Sequence, residues 1–377
     1  MAALVLSFMF TLFGSAQQAL AANGTMVQDD EGYYLVEDAF DLQAIRNNLT
    51  GKFRLANDID LSDFDSDGAD PNPVGVWIPL GTFPGSPFQG ELDGNGFAIF
   101  NLKVTGTTNR VGLFGYTNEA AIRNVRLINV DVSGVDQVGG LVGFASRSQI
   151  LRSSVSGSVL GGANTGLLIG YAVFTDISDS YAHGTVNDRY AVDPDPANNH
   201  GFGGLVGLIA QGSVAHSYSS AFINAGDTAD NKVGGLIGDN SGTNPSISGA
   251  FWDTDTSGVN HSAGGVGKTT SEMKQKGTFM EHDWDFTGTW AMVEGATFPL
   301  LQAVFGNVAL ASLSVTDADD VAAPVIWDRD FASDYGVYEV KAVNKTVNAT
   351  IAAASLEPDS EVSIMIDTDA DDIPDNE

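Results

Sequence analysis

The chain has 377 residues, 48 Asp and Glu against 17 Lys and Arg for a net charge of −31, 44 glycines and no cysteine. Such a length supports one large domain or several smaller ones with real cores, and excludes both a disordered chain and a mini-protein scaffold. The negative field excludes nucleic acid and anionic membrane surfaces as partners, while the missing cysteines exclude disulfide staples and thiolate chemistry.

Residues 1–22 read as a secretory signal peptide. An apolar stretch runs from Leu4 to Phe13 and ends in the small-residue site Ala19-Leu20-Ala21, although no Lys or Arg stands near Met1. That stretch is too short to span a bilayer and no later segment is longer, so the expected product is exported, secreted or attached to the cell surface, with no transmembrane segment beyond the signal peptide. Further on, Asp63, Asp65 and Asp67 with Gly68 form an acidic turn. Pro71 and Val74 supply no late carboxylate, so the turn is read as solvated rather than cation-binding.

The stretch 30–305 is repetitive. A glycine-punctuated apolar element recurs as Gly112-Leu113-Phe114-Gly115, Gly140-Leu141-Val142-Gly143, Leu167-Leu168-Ile169-Gly170, Gly204-Leu205-Val206-Gly207 and Gly235-Leu236-Ile237-Gly238. The closing glycines 115, 143, 170, 207 and 238 are spaced by 28, 27, 37 and 31 residues, and the longest gap contains an inserted loop within Asp188–Gly201. An aliphatic residue follows seven positions after each closing glycine at Ile122, Ile150, Ile177 and Val214; in the last copy Pro245 falls there and Ile247 takes the role. Apolar residues alternate with Ser, Thr, Asn and Asp at period two, and no helical pattern intervenes. A unit of about 30 residues cannot bury its own apolar face, whereas stacked copies bury each other's and pair each other's edges. The expected fold is therefore all-β, a parallel β-helix or β-solenoid. Glycines should mark places where a Cβ would clash or φ must be positive. Whether a unit is one rung or a hairpin-like pair stays open at this level.

No constellation for a zinc protease, a serine hydrolase elbow or a phosphate loop is present, and His183, His200, His216, His261 and His282 are scattered. Tyr116, Tyr171, Tyr181 and Tyr218 fall at repeat positions, which suits same-face ladders or an exposed stripe that stacks on sugar rings. Trp252, Trp284 and Trp290 are expected to close the open C-terminal end of the stack.

After residue 308 glycine nearly vanishes, and alternating strands at Leu313/Val315, Tyr338/Val340/Ala342, Val347/Ala349/Ile351 and Val362/Ile364 predict a small antiparallel β-sandwich over 308–366. The terminal stretch 367–377 is an acidic linker or truncated repeat. Asp367, Asp369, Asp371 and Asp375, with the Ile373 carbonyl, have the alternating spacing that converges on Ca²⁺, although Asp372 stands where the turn wants glycine.

The elements Val138 to Gly143, Ser180 to Gly184 and Phe251 to Gly258, with the leader Asp58 to Leu61, Trp77 to Gly81 and Phe88 to Gly96, resemble GLUG-motif repeat proteins. That resemblance implies a bacterial secreted or surface protein, adhesin-like, of a kind also found near certain immunoglobulin A metalloproteases. The 308–366 segment resembles a cadherin-like β-sandwich, and 367–377 resembles the start of a thrombospondin type 3-like calcium repeat. The function expected from the sequence is noncatalytic: a structural or adhesion protein that presents surfaces to host or matrix glycans or proteins. The alternatives are a carbohydrate-binding or polysaccharide-degrading β-helix protein, and the noncatalytic stalk of a larger surface protease.

Overall fold

A computed structural model describes residues 26–62, 64, 77–106, 108–190, 201–225, 232–240, 242–292, 294–295 and 297–302, plus the backbone of strands at 310–317, 325–327, 340–342 and 349–355. The signal-peptide segment 1–22, Asp63, Asp65 and Asp67, the greater part of the Asp188–Gly201 insertion and the calcium-ligand set Asp367, Asp369, Asp371, Ile373 and Asp375 lie outside the described residues.

Each repeat is one coil, and coil stacks on coil in parallel register. The second coil, for example, contributes Asp136–Gly139 to a narrow face, Val142–Ser146 and Gln149–Leu151 to a first long face, and Ser154–Gly161 to a second long face. On the first face Val142 pairs with Phe114 and with Ile169, Ile169 with Val206, and Val206 with Ile237. These pairs reproduce the sequence spacings, so the register follows the glycine motif and is unchanged across the 37-residue gap between Gly170 and Gly207. The aliphatic column is continuous through Ile122, Ile150, Ile177, Val214 and Ile247, which confirms Ile247 in place of Pro245. It extends backwards through Leu92 and Phe53, so the leader is already part of the stack. The architecture is all-β and β-solenoid-like, with three short α-helices, Ala39–Ala44, Thr270–Met273 and Lys276–Met280, among the described residues.

The motif glycines allow close approach rather than unusual backbone angles. A Cβ on Gly170 would stand 2.5 Å from the backbone of Gln137 and Val138, and one on Gly238 would stand 2.4 Å from Phe202 N. Left-handed corners fall two positions after the aliphatic column, on Asn124, Arg152, Asp179 and His216 and, in the last coil, on Gly249. Of the two reasons expected for glycine, a clashing Cβ is the one that applies at the motif; at the corners Asn and Asp tolerate the left-handed region, while Arg152 and His216 are held there by the ladder on either side. A buried serine column follows the corners at Arg152, Asp179 and His216. Ser153 N–H donates to Ser180 Oγ at 3.1 Å and Ser180 N–H to Ser217 Oγ at 3.1 Å, while Ser180 and Ser217 donate their hydroxyls to Ser178 O and Ala215 O.

The opening position of the motif is matched in size to a residue across the core. A Cβ on Gly140 would lie 2.6 Å from Val155 Cγ1, one on Gly204 2.0 Å from Ser219 Oγ, and one on Gly235 2.1 Å from the Trp252 ring. Leu167 departs from the pattern where the equivalent partner is Ala182, and both are fully buried. The leucine fills the volume that a larger partner occupies elsewhere. Leu167→Gly should therefore cost about 4 kcal/mol in urea unfolding, and adding Ala182→Val should return part of it in a double-mutant cycle. A loss below about 1 kcal/mol would refute this complementarity.

The C-terminal segment of the described coils does not cap the stack end. Trp252 lies in the last coil's core, but Trp284 and Trp290 pack on the outer side of the second face, against Tyr181, Tyr218 and Phe251. Trp284 Nε1 donates to Gly249 O at 2.8 Å and Trp290 Nε1 to Asp179 Oδ1 at 3.3 Å. Residues 279–302 thus run back along the coils as a lateral strap, ending in an antiparallel pair of Trp290–Ala291 with Leu300–Leu301. The expected end-closing role of Trp284 and Trp290 is corrected: the stacked Tyr181 and Tyr218 rings on the flank give the indoles an apolar surface to bury against. Beyond it, Leu310–Asp317 pairs antiparallel with Ala349–Ser355, and Val325–Trp327 with Val340–Ala342.

Candidate functional site

Two outward-facing clusters are built by the coil register. The first is ionic. Consecutive coils bring Arg54, Asp93 and Arg123 side by side on the first face, with Lys52 beside Glu91. Arg54 pairs with Asp29 and Glu31, both at 2.7 Å; Arg123 pairs with Asp93 at 3.0 Å and with Glu91. Tyr33 donates its hydroxyl to Glu91 at 2.7 Å and accepts from Arg123 at 2.8 Å. Burial opposes ionisation of Asp93, but hydrogen bonds from Asn124, Asn95 and Arg123 outweigh it and hold the carboxyl below the usual range. Burial and the Glu91 hydrogen bond push the Tyr33 phenol up. Both carboxylates are thus committed to cations and donors, which suits a clamp on the leading coils and not proton transfer.

The second cluster is aromatic. Tyr116, Phe144 and Tyr171 occupy one column of the first face and stack at 5.1 and 5.2 Å between ring centroids. Phe83 meets the first two edge-on, and the Arg110 guanidinium lies 4.1 Å from its ring centroid. The ladder rings use their faces on each other. Phe83, 47% exposed, with Arg110 over it, and Phe174, 51% exposed, with Arg147 at 5.4 Å, are the parts of this face presented outward. Tyr181 and Tyr218 form a separate ladder at 5.2 Å, buried beneath the strap. The four tyrosines singled out by the repeat therefore divide between two faces, because Tyr116 and Tyr171 precede the corner and Tyr181 and Tyr218 follow it.

Of the described histidines, His183 and His216 have separate partners. His183 Nδ1 lies 3.1 Å from Ser220 Oγ, whereas His216 Nδ1 lies 3.9 Å from Asp179 Oδ1. Burial pushes the Asp179 carboxyl up, against the lowering effect of the Trp290 hydrogen bond and the His216 charge. Among the described residues no three His, Asp or Glu side chains converge as a metal site. No helix among the described residues is long and apolar enough to cross a membrane.

The ionic clamp and the first glycine motifs fall within a stretch that known proteins share. Residues 25–157 match the family model of the M26 IgA1-specific metallo-endopeptidase N-terminal region. Halomucin of Haloquadratum walsbyi is 38% identical over 164 residues, which are 41% of this chain and 2% of that protein. An immunoglobulin A1 protease of Streptococcus sanguinis is 31% identical over 201 residues, 52% of this chain and 10% of that one. A solved IgA1 protease structure aligns at 24% identity with a TM-score of 0.45, over 60% of this chain and 16% of that chain. This chain spans a tenth or less of either curated relative.

The repeat positions of Tyr116 and Tyr171 pointed to the aromatic ladder, whereas the ionic clamp was not legible from a motif. The clamp joins Asp29, Arg54, Asp93 and Arg123, which no local pattern connects; the one usable signal was opposite charges at equivalent repeat positions.

Proposed function

We propose that this chain is the noncatalytic, coil-stacked stalk region of a larger secreted or cell-surface protein, related to the N-terminal region of IgA1-specific metallo-endopeptidases. The observation that carries this reading is the match over residues 25–157 falling on the leading coils of one continuous parallel stack. A ladder of parallel pairs resists bending because each coil is bonded along its length to the next, so such a rod can hold surfaces away from its anchor. The GLUG-type repeats, the cadherin-like module at 308–366 and a calcium-binding repeat at 367–377 are the finer parts of the proposal. Host-surface or matrix glycans and proteins are the proposed partners, with the exposed Phe83–Arg110 pair as one contact.

The test is to incubate the purified chain with human IgA1, peptide pools and acidic polysaccharides, with and without Ca²⁺. Intact substrates, with retention on a glycan or matrix array, are expected. Turnover near 1 per second, ordinary for an enzyme, would overturn the noncatalytic assignment.

A further inference from the structure

Between the strap and the second face lies a cavity of about 110 Å³, lined by Phe97, Asn124, Arg126, Arg152, Thr289 and Leu301 together with two glycines. Its chemistry is at odds with the chain around it. In a protein of net charge −31, two of the scarce cations face one small space. Arg126 is only 5% exposed, and its Nη1 is buried with no hydrogen-bond partner; Arg152 Nε is in the same condition. The repeat does not require this. The positions equivalent to Arg126 in neighbouring coils are Ala98 and Ser154, and those further on are Tyr181 and Tyr218. Arg152 lies within reach of the Asp179 charge, but a buried guanidinium N–H without an acceptor is costly, because it has left water with no hydrogen bond to replace it.

The other polar groups of the lining are committed elsewhere. The Asn124 amide donates to Asp93 at 2.8 Å and the Thr289 hydroxyl to Asp285 at 3.2 Å. The unpartnered Arg126 Nη1 and Arg152 Nε are thus donors in the cavity lining, with Phe97 and Leu301 as apolar walls.

We infer that this cavity between the strap and the coils is a binding site for the carboxylate of a small organic acid, held by Arg126 and Arg152. A guanidinium fork matches the two oxygens of a carboxylate. The apolar walls suit a short carbon skeleton. The negative field of the chain opposes a dianion more strongly than a monoanion, so sulfate and phosphate are disfavoured. The strap is part of the site, since Thr289 and Leu301 close it; ligand binding should therefore hold the strap against the coils.

The experiment is thermal unfolding of the whole chain in acetate, propionate and sulfate, at ionic strength matched with chloride, for the natural protein and for Arg126→Met. Acetate and propionate should raise Tm saturably by about 3 °C, and the rise should vanish in Arg126→Met. An Arg126-dependent rise with sulfate but not with the carboxylates would overturn the assignment. So would the absence of any Arg126-dependent rise, which would mean that water alone satisfies the guanidinium. Should Arg126→Met fail to fold, Arg152→Met and line broadening of ¹³C-acetate by the natural protein decide the question: no broadening, or broadening unchanged by Arg152→Met, overturns the site.

Discussion

Gly207→Ala should lower stability by about 3 kcal/mol or more and reduce Tm by several degrees, although it adds one methyl group. A Cβ at that position would stand 2.4 Å from Thr165 N, 2.5 Å from Asn164 C and 2.7 Å from Gly170 O. All three obstacles are backbone, so no side chain can swing away. Thr165 is itself fixed by its pairing with Phe202 and Val138 in the narrow face. The neighbouring coil must move, and a coil held about 4.8 Å from its neighbours by parallel hydrogen bonds can move only by stretching several at once. The control is Gly277→Ala, where nothing lies within 4 Å of the added Cβ; it should be neutral or slightly stabilising through lost chain entropy. Urea unfolding of both variants checks the contrast. A change below about 0.5 kcal/mol for Gly207→Ala would mean that the closing glycine is not there for close approach.

The stacking itself was legible because one coil exposes an apolar column that only its own copies can cover. Ile150 on Ile122 and Ile177 on Ile150 are consequences of a fixed spacing, and the spacing is visible in the linear chain. Even Leu167 for glycine reads as a rule once Ala182 is seen across the core. The leader strands Lys52–Leu55 and Glu91–Asp93 were harder, since their separation, stretched by the 65–76 segment, hides the period. The strap was misread for a different reason. Its contacts join Trp290 to Asp179 and Trp284 to Gly249, and its direction opposes the coils. Periodicity reports what a residue does within its own unit; it carries no information on which flank a departing segment will cover. The Arg126–Arg152 cavity depends on that same flank, so no sequence pattern could have announced it.

Trp290→Ala should cost about 3–5 kcal/mol, and the loss should fall first on the strap rather than on the coils. Trp290 is fully buried, lies 4.4 Å from Trp284 between ring centroids, and meets both Tyr181 and Tyr218 at 6.2 Å. Removing the indole opens a large cavity in the smaller of the two hydrophobic clusters and also leaves Asp179 without its N–H donor. The coils retain their own cluster and their parallel ladders, so limited proteolysis should cut within 279–302 while far-UV circular dichroism barely changes. Acid offers an independent arm. Asp285 accepts from the Thr287 hydroxyl and from the Thr287 and Gly288 amides, which lowers its carboxyl from 3.8 to about 2. Its folded value lies below the unfolded one, so the turn that presents Trp290 is fully supported above about pH 4 and loses that support as pH falls through about 2. Asp179 has the opposite sign: burial raises its carboxyl, so its protonated form suits the fold and its contribution fades as pH rises. Strap release in acid should therefore follow Asp285, occur below about pH 3, and lose its pH dependence in that range when Asp285 is replaced by asparagine, which does not titrate. Cleavage spread evenly over coils and strap would show instead that the strap is an integral part of one cooperative unit.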